Sequence, residues 1–221
     1  MAKRYKRRDK SKKGSGSGLR SRARALMLIS QSGKWPLLEC WITADWREPG
    51  SITQIAVVRK SPMGGEVVVG GFLVDLGCLG IKDALANIYR SESEYRREYR
   101  DSFMASQPME ACDLDLAAKV VDEAIKYAKN LGFQPHSDSR YALKVLGEAH
   151  PEKYDEEVPL GGEDGKPLFI AGPYDDVKRV TRILDRSVGQ GNYNFIVPLG
   201  DPGFFDEFDE LEEIDFEEDN F

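Results

Sequence analysis

Charge is distributed unevenly along this 221-residue chain, and the distribution limits which part of it can form a folded domain. Residues 1–24 contain eleven Lys and Arg and a single acid, which gives +10. Residues 201–221 contain eleven Asp and Glu and no base, which gives −11, whereas residues 25–200 carry only −6. Like charges at high density repel one another and bury little apolar surface. We therefore predict a basic flexible arm over 1–34, a single domain over 35–200 and an acidic-aromatic disordered tail over 201–221.

Composition and cysteine content exclude several classes of protein. Hydrophobic residues make up 41% of the chain and charged residues 31%, which is ordinary for a globular domain. No apolar run approaches the roughly 20 residues that a membrane-spanning helix needs. The three cysteines, Cys40, Cys78 and Cys112, are too few and too scattered for a disulfide framework, which favours a reducing compartment. We expect a cytoplasmic protein, although the arm alone is also compatible with a targeting peptide, a solubilising tail or an added tag.

The apolar pattern of the middle segment predicts an α+β fold, in which a small antiparallel sheet packs against several helices. The predicted strands cover residues 37–44, 52–60, 66–74, 167–171 and 193–197. The predicted helices cover about 81–89, 91–103, 113–131, a short stretch that ends near Gly147, and a segment that begins at Asp175 or Asp176. Gly70 and Gly71 indicate a bulge or a close backbone approach in the third strand.

The helix over 113–131 has the clearest pattern. Ala117, Val121, Ala124 and Ala128 recur at helical spacing, and Gly132 follows as a stop signal. We expect this small-residue face to pack on the sheet that contains the third strand.

Four residues are candidates for acid–base or metal chemistry. Asp45 and Asp75 follow predicted strands, and acids at neighbouring strand ends are how ribonuclease-H-like sheets gather magnesium ligands. His136 and Asp138 lie two residues apart in a loop, where they can ligate a metal or share a proton, or where Asp138 caps a helix and His136 fixes the loop. These four residues define one alternative, a small metal-dependent hydrolase or nuclease. The sequence motifs around the acids do not match that family, and Asp83 is explained as a first-turn helix acid.

Basic residues are candidates for contacts with nucleic-acid phosphates, since each such contact releases counterions. In the last predicted helix, three bases recur at i, i+4 and i+8 beside Arg179 and opposite an apolar stripe. The bases of residues 90–100 alternate with acids and are expected to pair with them instead. The predicted phosphate-contacting residues are Lys3, Arg4, Lys6, Arg7, Arg8, Lys10, Lys12, Lys13, Arg20, Arg22, Arg24, Lys178, Arg182 and Arg186.

The acidic tail contains five phenylalanines, which a purely solvating tail does not need. Residues 214–221 resemble the tip of bacterial single-stranded-DNA-binding proteins, which end in acids followed by a terminal Phe, although Asn220 stands where that tip usually has Pro. The resemblance implies a tail that docks on a protein partner with a basic-rimmed hydrophobic groove. The residues predicted to bind this partner are Phe208, Phe216, Phe221, Glu217, Glu218 and Asp219.

Three stretches of the domain, residues 71–80, 132–138 and 165–175, resemble bacterial proteins that have no assigned activity. This resemblance implies no activity for the chain. From the residues themselves, the leading hypothesis is a non-enzymatic nucleic-acid-associated binding or adaptor protein. It would need no cofactor or metal and would not bind a membrane. Its binding to nucleic acid would be non-specific and sensitive to salt.

Overall fold

The computed structural model describes residues 15–172 and 175–197, and for residues 15–21 it describes only the backbone. The elements follow one another as α1 (Ser15–Ser32), β1 (Leu37–Thr43), β2 (Ile52–Lys60), β3 (Val67–Asp75), β4 (Gly80–Tyr89), α2 (Glu92–Tyr95), α3 (Asp101–Ser106), β5 (Met109–Ala111), α4 (Leu114–Asn130), α5 (Ser139–Leu146), β6 (Leu168–Ile170), α6 (Val177–Ser187) and β7 (Asn194–Ile196). A π-helical stretch, Arg96–Arg100, joins α2 to α3, and a 3-10 turn, Pro151–Lys153, follows α5.

The main sheet has the strand order β4-β3-β2-β1-β5, and every neighbouring pair is antiparallel. The predicted α+β fold with an antiparallel sheet is therefore confirmed. The helix predicted over 81–89 is wrong, because this segment is strand β4. Its Ala, Leu and Lys residues favour a helix locally, but Gly80 turns the chain at φ 68° and β4 then pairs with β3 along its whole length.

One face of the sheet carries the main hydrophobic core beneath α4 and α5. Val121 is 1% exposed and belongs to the same core cluster as Val68 and Phe72 of β3, which confirms the predicted packing of the helix over 113–131. Gly70 explains how α5 lies so close to the sheet. A Cβ atom there would be 2.8 Å from the Cβ of Val145, so the predicted close approach is confirmed. The irregularity in the pairing of β3 with β4 falls between Leu73 and Val74 instead.

The opposite face of the sheet is partly covered by the helical segment that runs from α2 to α3. Tyr95, Tyr99 and Phe103 lie on one side of it, as predicted, with centroid separations of 6.2 Å and 5.3 Å between successive rings. The bases of this segment pair with acids, but only in part with the alternating acids of the segment that the sequence predicted. Arg96 binds Glu92, and Arg100 binds Glu39 of β1 at 2.9 Å.

The folded part of the chain begins before residue 35, the predicted start of the domain, because it includes helix α1. Residues 15–32 were expected to belong to a flexible arm that reaches residue 34, but they form a helix whose Ile29 is 5% exposed in the core. The turn after α1 packs against the end of α5, where a Cβ on Gly33 would lie 2.5 Å from the carbonyl oxygen of Lys144.

The side chain of Arg59 of β2 connects the turn after α1 to the end of α5 by hydrogen bonds. Its guanidinium donates to the carbonyl oxygens of Trp35 at 2.8 Å, Val145 at 2.9 Å and Leu146 at 2.6 Å. Burial lowers the pKa of Arg59, and the carbonyls at the end of α5 compensate because a helix C-terminus attracts positive charge.

A second, smaller core lies beside the first. Parallel strands β6 and β7 and helix α6 enclose Phe169, Leu184 and Cys78. This second core is connected to the main sheet by a hydrogen bond from the backbone N–H of Leu168 in β6 to the carbonyl oxygen of Gly77, between β3 and β4, at 3.0 Å. The predicted final strands and helix are confirmed by β6, α6 and β7. Among the described helices, none is long and apolar enough to cross a membrane.

Candidate functional site

His136 fixes the loop between α4 and α5 to the start of β4. Its backbone N–H donates to the carbonyl of Ile81 at 3.0 Å, and its Nδ1 accepts from the backbone N–H of Asp138 at 3.4 Å. Nδ1 also lies 3.6 Å from a carboxylate oxygen of Asp83, which is an exposed strand residue and not the helix acid that was predicted. Asp138 occupies the N-cap position of α5, but its side chain accepts no capping hydrogen bond. The geometry supports the loop-fixing role of His136 and not the capping role of the Asp138 carboxylate.

The side chain of Asp75 is buried and forms hydrogen bonds within the turn between β3 and β4. It is 2% exposed at the end of β3, and its Oδ1 accepts from the backbone N–H groups of Cys78 at 2.9 Å and Leu79 at 3.4 Å. Burial raises the pKa of this carboxyl group, while those backbone donors and the charge of nearby Lys82 oppose the shift. Asp75 therefore organises the turn between β3 and β4 from the inside.

Two further buried groups lie near Asp75. Burial raises the pKa of the Cys78 thiol, and it raises the pKa of Tyr127 to about 12. The Tyr127 hydroxyl is buried and has no hydrogen-bond partner among the described residues. An inert buried thiol matches the small hydrophobic role of most buried cysteines and not that of a nucleophile.

The four acid–base candidates do not form one site. Asp45 is exposed in the turn after β1, where its backbone carbonyl accepts from Glu48 N–H, whereas Asp75 faces backbone donors in the interior. Of the four, His136 and Asp138 are in contact, through the backbone N–H of Asp138, and the acidic side chain beside His136 is that of Asp83. Within residues 15–172 and 175–197, no group of three or more His, Cys, Asp and Glu side chains is placed to hold a metal ion. The hydrolase or nuclease alternative is left without a shared carboxylate site in this part of the chain.

A pocket of about 400 Å³ lies between the start of β4, the loop before His136 and the first turn of α6. Lys82 binds Asp175 there at 2.5 Å, and the side chain of Asp176 accepts from Arg179 N–H at 3.0 Å as the N-cap of α6. Lys82 and Asp175 neutralise each other, and Asp176 and Arg179 carry opposite charges without forming an ion pair, so the pocket offers no strong net charge to a ligand. Sequence reasoning missed the Lys82–Asp175 pair because the two residues are 93 positions apart and meet only through packing.

The basic residues of α6 form the surface that the sequence pattern predicted. Val177, Val180 and Leu184 are buried on one side of the helix. Arg179, Arg182 and Arg186 are exposed and Lys178 is half-buried. None of these four bases forms an ion pair or a side-chain hydrogen bond with a described residue. We call Lys178, Arg179, Arg182 and Arg186 the α6 basic face.

The remaining predicted contact residues are only partly within the described structure. Arg22 is exposed on α1, and Arg24 forms an ion pair with Glu66 at 3.2 Å. Arg20 lies in α1 with only its backbone described. The predicted bases of residues 3–13, and the predicted tail residues Phe208, Phe216, Phe221, Glu217, Glu218 and Asp219, lie outside the described residues.

No protein-family model, no curated protein and no solved structure matches this chain. A functional proposal must therefore rest on the chain's own residues.

Proposed function

We propose that this protein is a non-enzymatic nucleic-acid-associated binding or adaptor protein, in which the basic arm and the α6 basic face contact phosphates. The observation that carries the proposal is the α6 basic face itself. Its four cations have no acidic partner among the described residues, although the chain as a whole carries seven more acids than bases. The bases of Arg96–Arg100, in contrast, are held by Glu92, Glu98 and Glu39. Unpaired bases in an acidic protein are the surface feature that a polyanion recognises.

Helix α1 supports the role of the arm. Residues 15–24 of the +10 segment belong to α1, which is anchored by Ile29 in the core and is followed by the contact of Gly33 with α5. Arg22 of this segment is therefore exposed on a helix that is part of the domain. Phosphates held by the arm would lie beside a domain that can add further contacts.

The test is the salt dependence of binding to a labelled oligonucleotide, followed by fluorescence anisotropy. We expect the full chain to bind single strands and duplexes with little sequence preference. Affinity should fall on the order of tenfold or more between low and moderate salt, since counterion release drives binding. A variant without residues 1–14 keeps α1 and should lose most of the affinity and much of the salt dependence.

A matched pair of triple variants tests the α6 basic face. Lys178→Gln, Arg182→Gln and Arg186→Gln together should weaken binding about tenfold, because three phosphate contacts are removed. Lys126→Gln, Lys129→Gln and Lys153→Gln together change the net charge equally at other exposed positions and should change binding little. If the two triple variants weaken binding equally, the effect is one of net charge and the α6 basic face is not a specific contact surface. If the affinity is unchanged without residues 1–14, the proposed role of the arm is wrong.

The acidic-aromatic tail is proposed to serve a protein partner with a basic-rimmed hydrophobic groove. Five phenylalanines are spaced among eleven acids, so the segment gains apolar contacts only when its negative charge is matched. The α6 basic face offers such charge within the same molecule. The tail can therefore cover this face until a nucleic acid or a partner protein displaces it.

A further inference from the structure

Cys40 and Cys112 meet at the edge of the main sheet. Trp41 of β1 is the pairing partner of Ala111 of β5, so the preceding and following cysteines stand opposite one another. Cys112 N–H donates to the carbonyl oxygen of Cys40 at 3.0 Å, and the two Sγ atoms are 3.5 Å apart. Directly opposite residues of antiparallel strands have Cα atoms about 4.5–5.5 Å apart, which lies within the range of about 4.4–6.8 Å that disulfides span.

We propose that Cys40 and Cys112 are a redox-active pair that closes to a disulfide between β1 and the end of β5. The two thiols give up two protons and two electrons as the S–S bond forms. The oxidant is a small-molecule disulfide such as oxidised glutathione, whose own S–S bond breaks to give two thiols. The Cys112 thiolate attacks one glutathione sulfur and releases the first thiol. The Cys40 thiolate then attacks the Cys112 sulfur and releases the second.

The order of these steps follows from exposure. Cys112 is half-buried and can meet a small disulfide, whereas Cys40 is 5% exposed and is placed to resolve the mixed disulfide. The hydrogen bond between the two thiols and burial raise the pKa of Cys112, so its thiolate is scarce near neutral pH. The reaction should be slow at neutral pH and faster in alkaline solution.

The position of the pair gives the bond a structural effect. Strand β5 has three residues and pairs only with β1, so it can move slightly as the sulfur atoms come together. Asp113, the N-cap residue of α4, follows Cys112 directly. A disulfide would therefore fasten the edge strand and the start of α4 to β1, and it would close a long loop in the unfolded chain.

The test treats the full chain with oxidised glutathione at about pH 8.5, where thiolates are more abundant, and then maps disulfides by mass spectrometry. We expect a 40–112 cross-linked peptide, and the intact mass should fall by two hydrogen atoms. The Tm should rise by roughly 5 °C or more and return to its original value on reduction. Cys78→Ala should still form the 40–112 cross-link and gain Tm on oxidation relative to its own reduced form, because Cys78 is fully buried in the second core.

Cys40→Ser and Cys112→Ser complete the test. Each should fold under reducing conditions, and each should fail to form the cross-link or to gain Tm on oxidation relative to its own reduced form. Cys40→Ser should instead accumulate glutathione on Cys112, since the resolving thiol is gone. A stable glutathione adduct on Cys112 of the unchanged protein, a cross-link to Cys78, or no change in Tm would overturn the proposal.

Discussion

At Asp75, burial and hydrogen bonding have opposite effects on the pKa of the carboxyl group. Burial favours the neutral acid, whereas the N–H groups of Cys78 and Leu79 and the charge of Lys82 favour the carboxylate. Burial is the stronger effect, and the pKa in the folded protein is raised. A raised pKa means that the folded state holds the proton more firmly than the unfolded state does. The resulting stability is fully present below the ordinary carboxyl value of 3.8 and is lost as the pH rises through the folded-state pKa.

Asp75→Asn tests this balance. Asparagine keeps an oxygen that can accept from Cys78 N–H, but it does not ionise in this range. The free energy of unfolding of the unchanged protein should therefore fall relative to that of Asp75→Asn as the pH is raised from about 4 towards neutrality. Urea denaturation at a series of pH values measures the difference. If the free energy of unfolding of the unchanged protein instead rises relative to that of Asp75→Asn as the pH is raised, the backbone donors and Lys82 outweigh burial.

At the scale of elements, α4 is the helix on which the main core depends. Val121 faces the sheet at 1% exposure, with Ala117 and Ala124 buried beside it. Val121→Asp would place an unpaired charge in this core and should lower the free energy of unfolding by about 3–5 kcal/mol. Asn130→Asp introduces the same side chain at the exposed end of α4 and should cost less than about 1 kcal/mol. Chemical denaturation of the two variants gives the comparison, and similar losses would contradict the observed orientation of α4.

The elements that could be predicted from sequence are those whose signals are local. Helix α4 has a regular apolar face, and Gly132 ends it in the left-handed region at φ 94°. Strand β4 was missed because its helix-forming residues are overruled by pairing with β3, which is a non-local effect. Strand β5 was missed because three residues carry no periodicity. Helix α1 was missed because the Gly and Ser residues at its start favour a flexible segment.

For the candidate sites too, local patterns could be predicted from sequence and contacts between distant residues could not. The α6 basic face was predictable, because its charges and its apolar stripe alternate within a single helix. The Lys82–Asp175 pair and the Cys40–Cys112 contact were not, because each joins elements that are far apart in sequence. The four acid–base candidates were grouped by residue type and by their predicted positions at strand ends and in one loop, which do not fix distances between side chains. The structure places Asp45 and Asp75 in different environments, one exposed and one buried.

At the scale of the whole molecule, the last described strand packs in the same small core as α6. Strand β7 ends at Ile196, and the ring of Phe195 stacks on Phe169 at 5.5 Å within the core that α6 covers with Leu184. Helix α6 of this core carries four bases without acidic partners among the described residues. Residues 201–221 contain eleven acids and no base, so opposite charge favours contact between tail and face.

This arrangement predicts that the tail competes with nucleic acid for the α6 basic face. Each Phe ring contributes on the order of 1.5–3 kcal/mol if it is fully buried, so two or three seated rings exceed the cost of ordering a short segment. Phe216→Ala with Phe221→Ala in the full chain should release the tail and tighten oligonucleotide binding several-fold. Glu217→Gln should have a smaller effect, because a single exposed charge is screened by salt. Anisotropy titrations at one ionic strength compare the variants. If neutralising the acids tightens binding and the Phe substitutions do not, the tail acts only as a polyanion and the docking of its rings is excluded.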